Sequence, residues 1–496
     1  MRYPIFVALI AFFPIWGLAA RAAENSDNVL TYHADAARSG HYVMPGLTWT
    51  KAADMRPDEA FEGHVPGNVY AQPLYWRPAG AAHGLVVVAT EDNVVVALDA
   101  ITGKRVWQRS LGKPIPLNEQ PCGNIDPLGI TGTPVIDEHT GSIYFDAFFD
   151  QGKGPRHFVF GLSLADGAVL PGWPVDEVQA LAALGMTIDP AVQYQRGALT
   201  IVGDKLYVPY SGHFGGCGDY HGLVVGLRMD KPGIFAAWRT SGPSGGVWAP
   251  GGIAYDGHDL YIATGGALGE TEWGGSEAVI RLPPDLIWRQ TSQAFFAPSD
   301  WSESGDLGGV NPLPLDLPEG GKGSTLVMAL GAGREYLLDR SDLGGIGHAL
   351  ATLRQNGGGP IGSPATYRVG GDLLVAFRVN NKICPGALHT AGVAAVRVTG
   401  GQNPAMTQQW CAGLDGEGAP IVTTSDGEAD PIVWIVGAEG DNQLHGFRGD
   451  DGKELFVSDE IPSSVANLRH FMTILAAAGR LYFAGDGRVL AFSFMH

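Results

Sequence analysis

Between Gly84 and Gly112 short apolar runs alternate with polar turns: GLVVVAT, TEDN, VVVALDA, ITGK and RVWQRS. Each run is too short for a helix and is bounded by turn formers, so the pattern predicts strands. Asp99 suits the start of a turn, because its carboxylate can accept backbone N–H groups two residues on. Gly103 can take the positive φ that closes it. Another apolar strand, Tyr70 to Trp76, precedes the three. Four antiparallel strands in a row make a sheet that cannot bury both faces alone, so related units are expected along the chain.

Eight inner-strand signals follow that expectation, each a short apolar stretch led by Gly or Pro: AQPLYW (71–76), GTPVID (132–137), ALTIVG (198–203), PGGIAYD (250–256), NPLPLD (311–316), GSPATYR (362–368), APIVTT (419–424) and MTILAA (472–477). A second apolar strand follows each, and usually a third, at a spacing of about 50 residues. The expected fold is all-β, one eight-bladed β-propeller spanning 70–496. Seven blades is the alternative count, because the last unit is short. Residues 23–69 form a lead-in. Its LTWTKAADMRPDEAFEGHV stretch is a candidate outer strand that pairs with the C-terminal strands and closes the ring without leaving an edge. VLTYHADAARSGHY reads as polar and irregular.

Ala97, Asp99, Thr102, Gly103, Lys104 and Trp107 match the AxDxxTGKxxW repeat. In this the chain resembles the pyrroloquinoline-quinone (PQQ) dehydrogenase-like propellers, in which the Trp of one blade docks on the peptide of the next. Degraded copies run from Gly161 through Asp166-Gly167, and from Gly446 through Asp451-Gly452-Lys453 to Phe456. TYHADAARSG, YAQPLYW, GITGTPVID, CGDYHG, DLGG and LLDRSDLGG resemble a secreted branch of PQQ-like repeat proteins over nearly the whole mature chain. That likeness implies a fold rather than a reaction.

The formal net charge of −19 argues against a nucleic-acid or anionic-membrane partner. At the N-terminus, Arg2, an apolar run from Ile5 to Leu18 and Ala20-Arg21-Ala22 read as a signal peptide over 1–22. The expected location is secreted or periplasmic, with no membrane span. Export makes four cysteines a disulfide set with three pairings. All four fall on the face where inner strands begin, so Cys122–Cys217 and Cys384–Cys411 are reachable pairs, each worth about 2–4 kcal/mol.

Loops on that face line the propeller mouth, where a small-molecule or protein ligand is expected. The resemblance implies PQQ over a Trp, calcium held by Glu, Asn and Asp, and an Asp base. Against it, no two cysteines are adjacent and no CxxCH marks a haem. Glu91, Asp126, Glu270, Asp306 and Glu439 sit in mouth loops, and Trp248 can supply an aromatic floor. Glu91, Arg196, Trp248 and Glu439 are the cofactor-binding candidates; Asp306, His157 and His470 are the acid–base candidates. In the loop Ser211 to His221, His213 and His221 with Cys217 could hold copper or zinc, or Cys217 is in a disulfide and the histidines bond loop backbone. No GxSxG, HExxH or P-loop motif is present. Two readings follow: a ligand- or protein-binding propeller without catalysis, or a quinoprotein-type oxidoreductase oxidising an alcohol or sugar with PQQ and Ca²⁺. Assembly lipoproteins of the same repeat type exemplify the first, although here no lipobox cysteine follows the signal peptide.

Overall fold

A computed structural model describes residues 27–494, apart from short stretches at 268–269, 304–305, 319–322, 332, 355–361, 381–383 and 385–390. The expected signal peptide lies outside the described residues. The strands gather into eight small sheets of four or five strands, an eight-bladed propeller. Each Gly- or Pro-led segment of the sequence supplies the inner strand of one sheet, from Leu74–Trp76 in blade 1 to Leu475–Ala477 in blade 8. The core is a set of apolar layers between neighbouring sheets. Val87, Ala89, Val95 and Ala97 of blade 1, for example, pack with Phe145, Phe149 and Phe160 of blade 2.

The complete repeat acts as a clip between blades. Asp99 Oδ1 accepts from the Ile101 and Thr102 N–H groups at 3.0 and 2.8 Å, and Gly103 closes the turn at φ +68°. A bulge beside Ala97 sets Trp107 opposite it. The indole of Trp107 donates to Leu164 O at 2.8 Å and lies where a side chain on Gly167 would collide with it. Trp410 repeats the device opposite Ala395, donating to Gly449 O of blade 7 at 2.7 Å.

Arg56–Pro57 pairs antiparallel with Phe492–Ser493 as the outer strand of blade 8, and Arg480 bonds Asp58 at 2.8 Å beside it. First and last parts of the chain thus share one sheet. The polar stretch before that strand is ordered too, and it crosses the axial channel. Its φ angles are positive at His33 (+53°), Ala34 (+72°), Arg38 (+66°) and Gly40 (+64°), which turns it through a tight path. Val29 pairs with Tyr75 of blade 1, Leu30 O accepts from Ile136 of blade 2, and Ala36 O from Tyr255 of blade 4. Arg38, fully buried, donates to Leu199 O of blade 3 and Ile253 O of blade 4 at 2.9 and 3.1 Å. His33 bonds Pro364 O of blade 6 and Thr473 Oγ1 of blade 8 at 3.2 and 3.0 Å, and His41–Val43 adds a parallel strand to blade 7. The channel is plugged by the protein's own chain.

Both disulfides, Cys122–Cys217 and Cys384–Cys411, are formed, with Cα separations of 6.1 and 5.3 Å. Among the described residues no helix is long and apolar enough to cross a membrane.

Candidate functional site

On the mouth side of the plug, residues just ahead of four inner strands meet at the axis. Tyr70 leads into blade 1, Arg196 into blade 3, Trp248 into blade 4 and Phe471 into blade 8. The Arg196 guanidinium lies 4.9 Å from the Phe471 ring centroid and 5.8 Å from that of Tyr70. Trp248 meets Phe471 from across the ring at 6.3 Å. Such stacking holds a guanidinium by its flat face and leaves its edge donors free. Arg196 is only 8% exposed, yet among the described residues no carboxylate lies within ion-pair distance of it, and its Nε is buried without an acceptor.

Its electrostatic neighbours are Glu91 and Tyr194. Burial pushes the Glu91 carboxyl up to about 7, against the bond it accepts from Gly129 N–H at 2.7 Å, and its Oε1 has no partner. Glu91 is therefore largely uncharged below neutral pH and gives Arg196 little counter-charge there. On the rim, Glu439 accepts from His470 Nδ1 at 2.9 Å, and this bond holds the carboxyl below its usual range. The ring of His470 stands edge-on to Tyr70 and Phe471, at 5.5 and 4.7 Å. Arg469 lies over Tyr70 at 5.7 Å while bonding Asp486. A cationic and aromatic platform results, in a protein whose overall charge is strongly negative.

Beyond Trp248 the acids are already engaged. Asp306 Oδ1 accepts from Trp248 Nε1 at 3.1 Å and from Gly308 N–H at 3.0 Å, while burial pushes the group up to about 6. Glu277 spends one oxygen on Gly266 N–H and the other on Leu307 N–H, both at 2.8 Å. Glu270 bonds Ser276 and Gly274. Calcium needs about six to eight oxygen ligands, carboxylates among them. No group of three or more His, Cys, Asp or Glu among the described residues is placed to hold a metal ion. The platform suits a planar anion; the acids beside it do not make a calcium cradle.

The other sequence candidates lie apart from the platform. His157 is buried between blades 2 and 3, with Nδ1 2.6 Å from Asp146 and Nε2 3.1 Å from Gln193 O. Burial alone would lower this imidazole, but the Asp146 carboxylate outweighs it and raises it to about 9. A group so enclosed holds structure together. His213 stacks on Tyr194 at 5.4 Å, and burial lowers it to about 4. His221 bonds Thr240 O, and Cys217 is tied to Cys122. The two histidines serve different neighbours, with no thiolate between them. Asp126 accepts from Leu117 N–H. Sequence reading passed over Tyr70, Phe471, Arg469 and Tyr194. Aligning the inner-strand segments on one another would have found Tyr70 and Phe471, which stand, like Arg196, four residues ahead of their inner strand; Trp248 stands six ahead of its own.

Residues 47–153 match the PQQ_2 family model, described as outer membrane protein assembly factor BamB. Among solved structures, the chain is similar to a quinohemoprotein alcohol dehydrogenase from Comamonas testosteroni, at 12% identity and TM-score 0.64, over 94% of this chain and 80% of that one. A europium-containing methanol dehydrogenase aligns at 13% identity and TM-score 0.62, over 93% of this chain and 90% of the other. At such identities the likeness speaks for the fold alone. No curated protein matches the chain in sequence.

Proposed function

We propose that this chain, a PQQ-like β-propeller, is an exported binding protein whose mouth takes a small planar anion on the Arg196 platform. One observation carries the reading: a guanidinium buried on two aromatic faces, with no carboxylate within ion-pair distance among the described residues. A buried charge without a counter-ion is costly, and a ligand carboxylate would relieve it with a bidentate bond. Trp248, half-buried, offers its face to the ligand's flat part. Export fits the two disulfides, which persist in oxidising compartments.

The test is calorimetric titration of the full chain with PQQ and a panel of aromatic mono- and dicarboxylates. One or more should bind, and Arg196→Gln should weaken it at least about tenfold while leaving the melting temperature within a few degrees. If no anion binds, or if the variant binds as well as the parent, the reading is wrong.

The quinoprotein-type oxidoreductase is the second reading. The Trp248–Asp306 pair favours it, since an aromatic floor beside a carboxyl raised to about 6 is a base next to a stacking surface. The engaged acids count against it. Quinone absorbance after incubation with PQQ and Ca²⁺, together with dye-linked oxidation of alcohols or sugars, would promote it over binding alone.

A further inference from the structure

A groove of about 370 Å³ opens on the side wall of the ring, on the seam of blades 3 and 4 and away from the axis. Trp238 and Trp288 line it with their rings 82° apart and centroids 6.0 Å apart, one a floor and the other a wall. Leu286 adds an apolar flank, and Arg239, Ser241 and Gln290 bring polar groups to the edge. Neither indole N–H has an acceptor, although both nitrogens are shut away from water and Trp238 is more than nine-tenths buried. The exposed heads of Arg239 and Gln290 pair with nothing among the described residues.

Trp238 packs in the core between blades 3 and 4, but it is not the docking tryptophan of the repeat. The docking Trp107 stands opposite the residue at the bulge of its blade. In blade 3 that bulge falls at Gly226, opposite Ala236, two residues before Trp238. Leu286 holds φ at +58°, a conformation costly for a side chain of that kind, and it does so in the groove wall.

We infer that this groove binds a carbohydrate. An indole face is a flat apolar surface for the C–H side of a sugar ring, and the ring's hydroxyls accept from the exposed Arg239 guanidinium while exchanging bonds with the Gln290 amide at the groove edge. An apolar peptide side chain would cover the indole but make no bond to the Arg239 and Gln290 heads at the edge, which the hydroxyls of a sugar can do. The site is independent of the platform on the axis.

The test uses the full chain with three neutral probes: cellohexaose, maltohexaose and chitohexaose. Tryptophan fluorescence and calorimetry should show binding of at least one. Trp288→Ala and Gln290→Ala should each weaken it at least about tenfold, and Arg196→Gln should leave it unchanged. Gln290 is exposed, so its variant separates lost binding from lost folding. The inference is overturned if none of the three binds, or if binding survives both groove substitutions. It is also overturned if an apolar peptide, and no sugar, occupies the groove.

Discussion

Arg196 and Glu91 are the two residues whose charge states decide what the mouth attracts. The buried Glu91 carboxyl loses its proton near pH 7, well above the ordinary range for a glutamate. Deprotonation sets a negative charge within reach of Arg196, so anion affinity should fall as pH rises through about 7. Titration between about pH 6 and about pH 8 should show a loss of roughly fivefold to tenfold, flattened in Glu91→Gln. The same raised value makes the stability contribution of Glu91 full at low pH and lost as pH climbs through 7. Trp107 is the structural counterpart. Trp107→Phe keeps a ring against Gly167 but removes the bond to Leu164 O, and should cost about 1–2 kcal/mol in urea unfolding. Trp107→Ala should cost about 3–5 kcal/mol. Asp99, Gly103 and Trp107 were legible in the sequence because one short motif fixes turn, bulge and docking together. Arg196 was legible only as a candidate, because its two aromatic supports come from blades distant in sequence.

At the scale of elements, the informative segment is the one that reads as irregular. Residues 29–40 have no strand or helix period because their partners are the inner strands of other blades, met one or two bonds at a time. Local pattern cannot show such contacts. Arg38 is the residue that ties the segment down, donating to carbonyls of blades 3 and 4, to Tyr32 O and to the Thr31 and Thr200 hydroxyls. Arg38→Ala should therefore destabilise by about 3–5 kcal/mol, since each stranded buried acceptor carries its own penalty. Thermal unfolding measures the loss, and hydrogen exchange should show the plug protected in the parent and open in the variant. Equal protection in both would mean that Arg38 does not fasten the segment. The inner strands were the most legible elements, since a Gly or Pro followed by an apolar run marks all but the last, whatever its blade contributes to the mouth.

For the whole molecule, ring closure and plugging act together. Arg56–Pro57 completes the short last blade, and the segment before it blocks the channel, so a ligand at the mouth cannot pass through the ring. Blade count and closure could be read from spacing because each repeat must cover its neighbour. The composition of the mouth could not, since residues that meet on the axis come from blades on opposite sides of the ring. The central claim is that Arg196 is the anchor of a ligand held there. A crystal structure of the protein with the tightest carboxylate from the titration panel tests it most directly. The expected result is the ligand carboxylate within hydrogen-bond distance of the Arg196 guanidinium, with its flat part against Trp248 or Phe471. A ligand bound elsewhere, with Arg196 still enclosed by Tyr70 and Phe471 and touching no anion, would contradict the account.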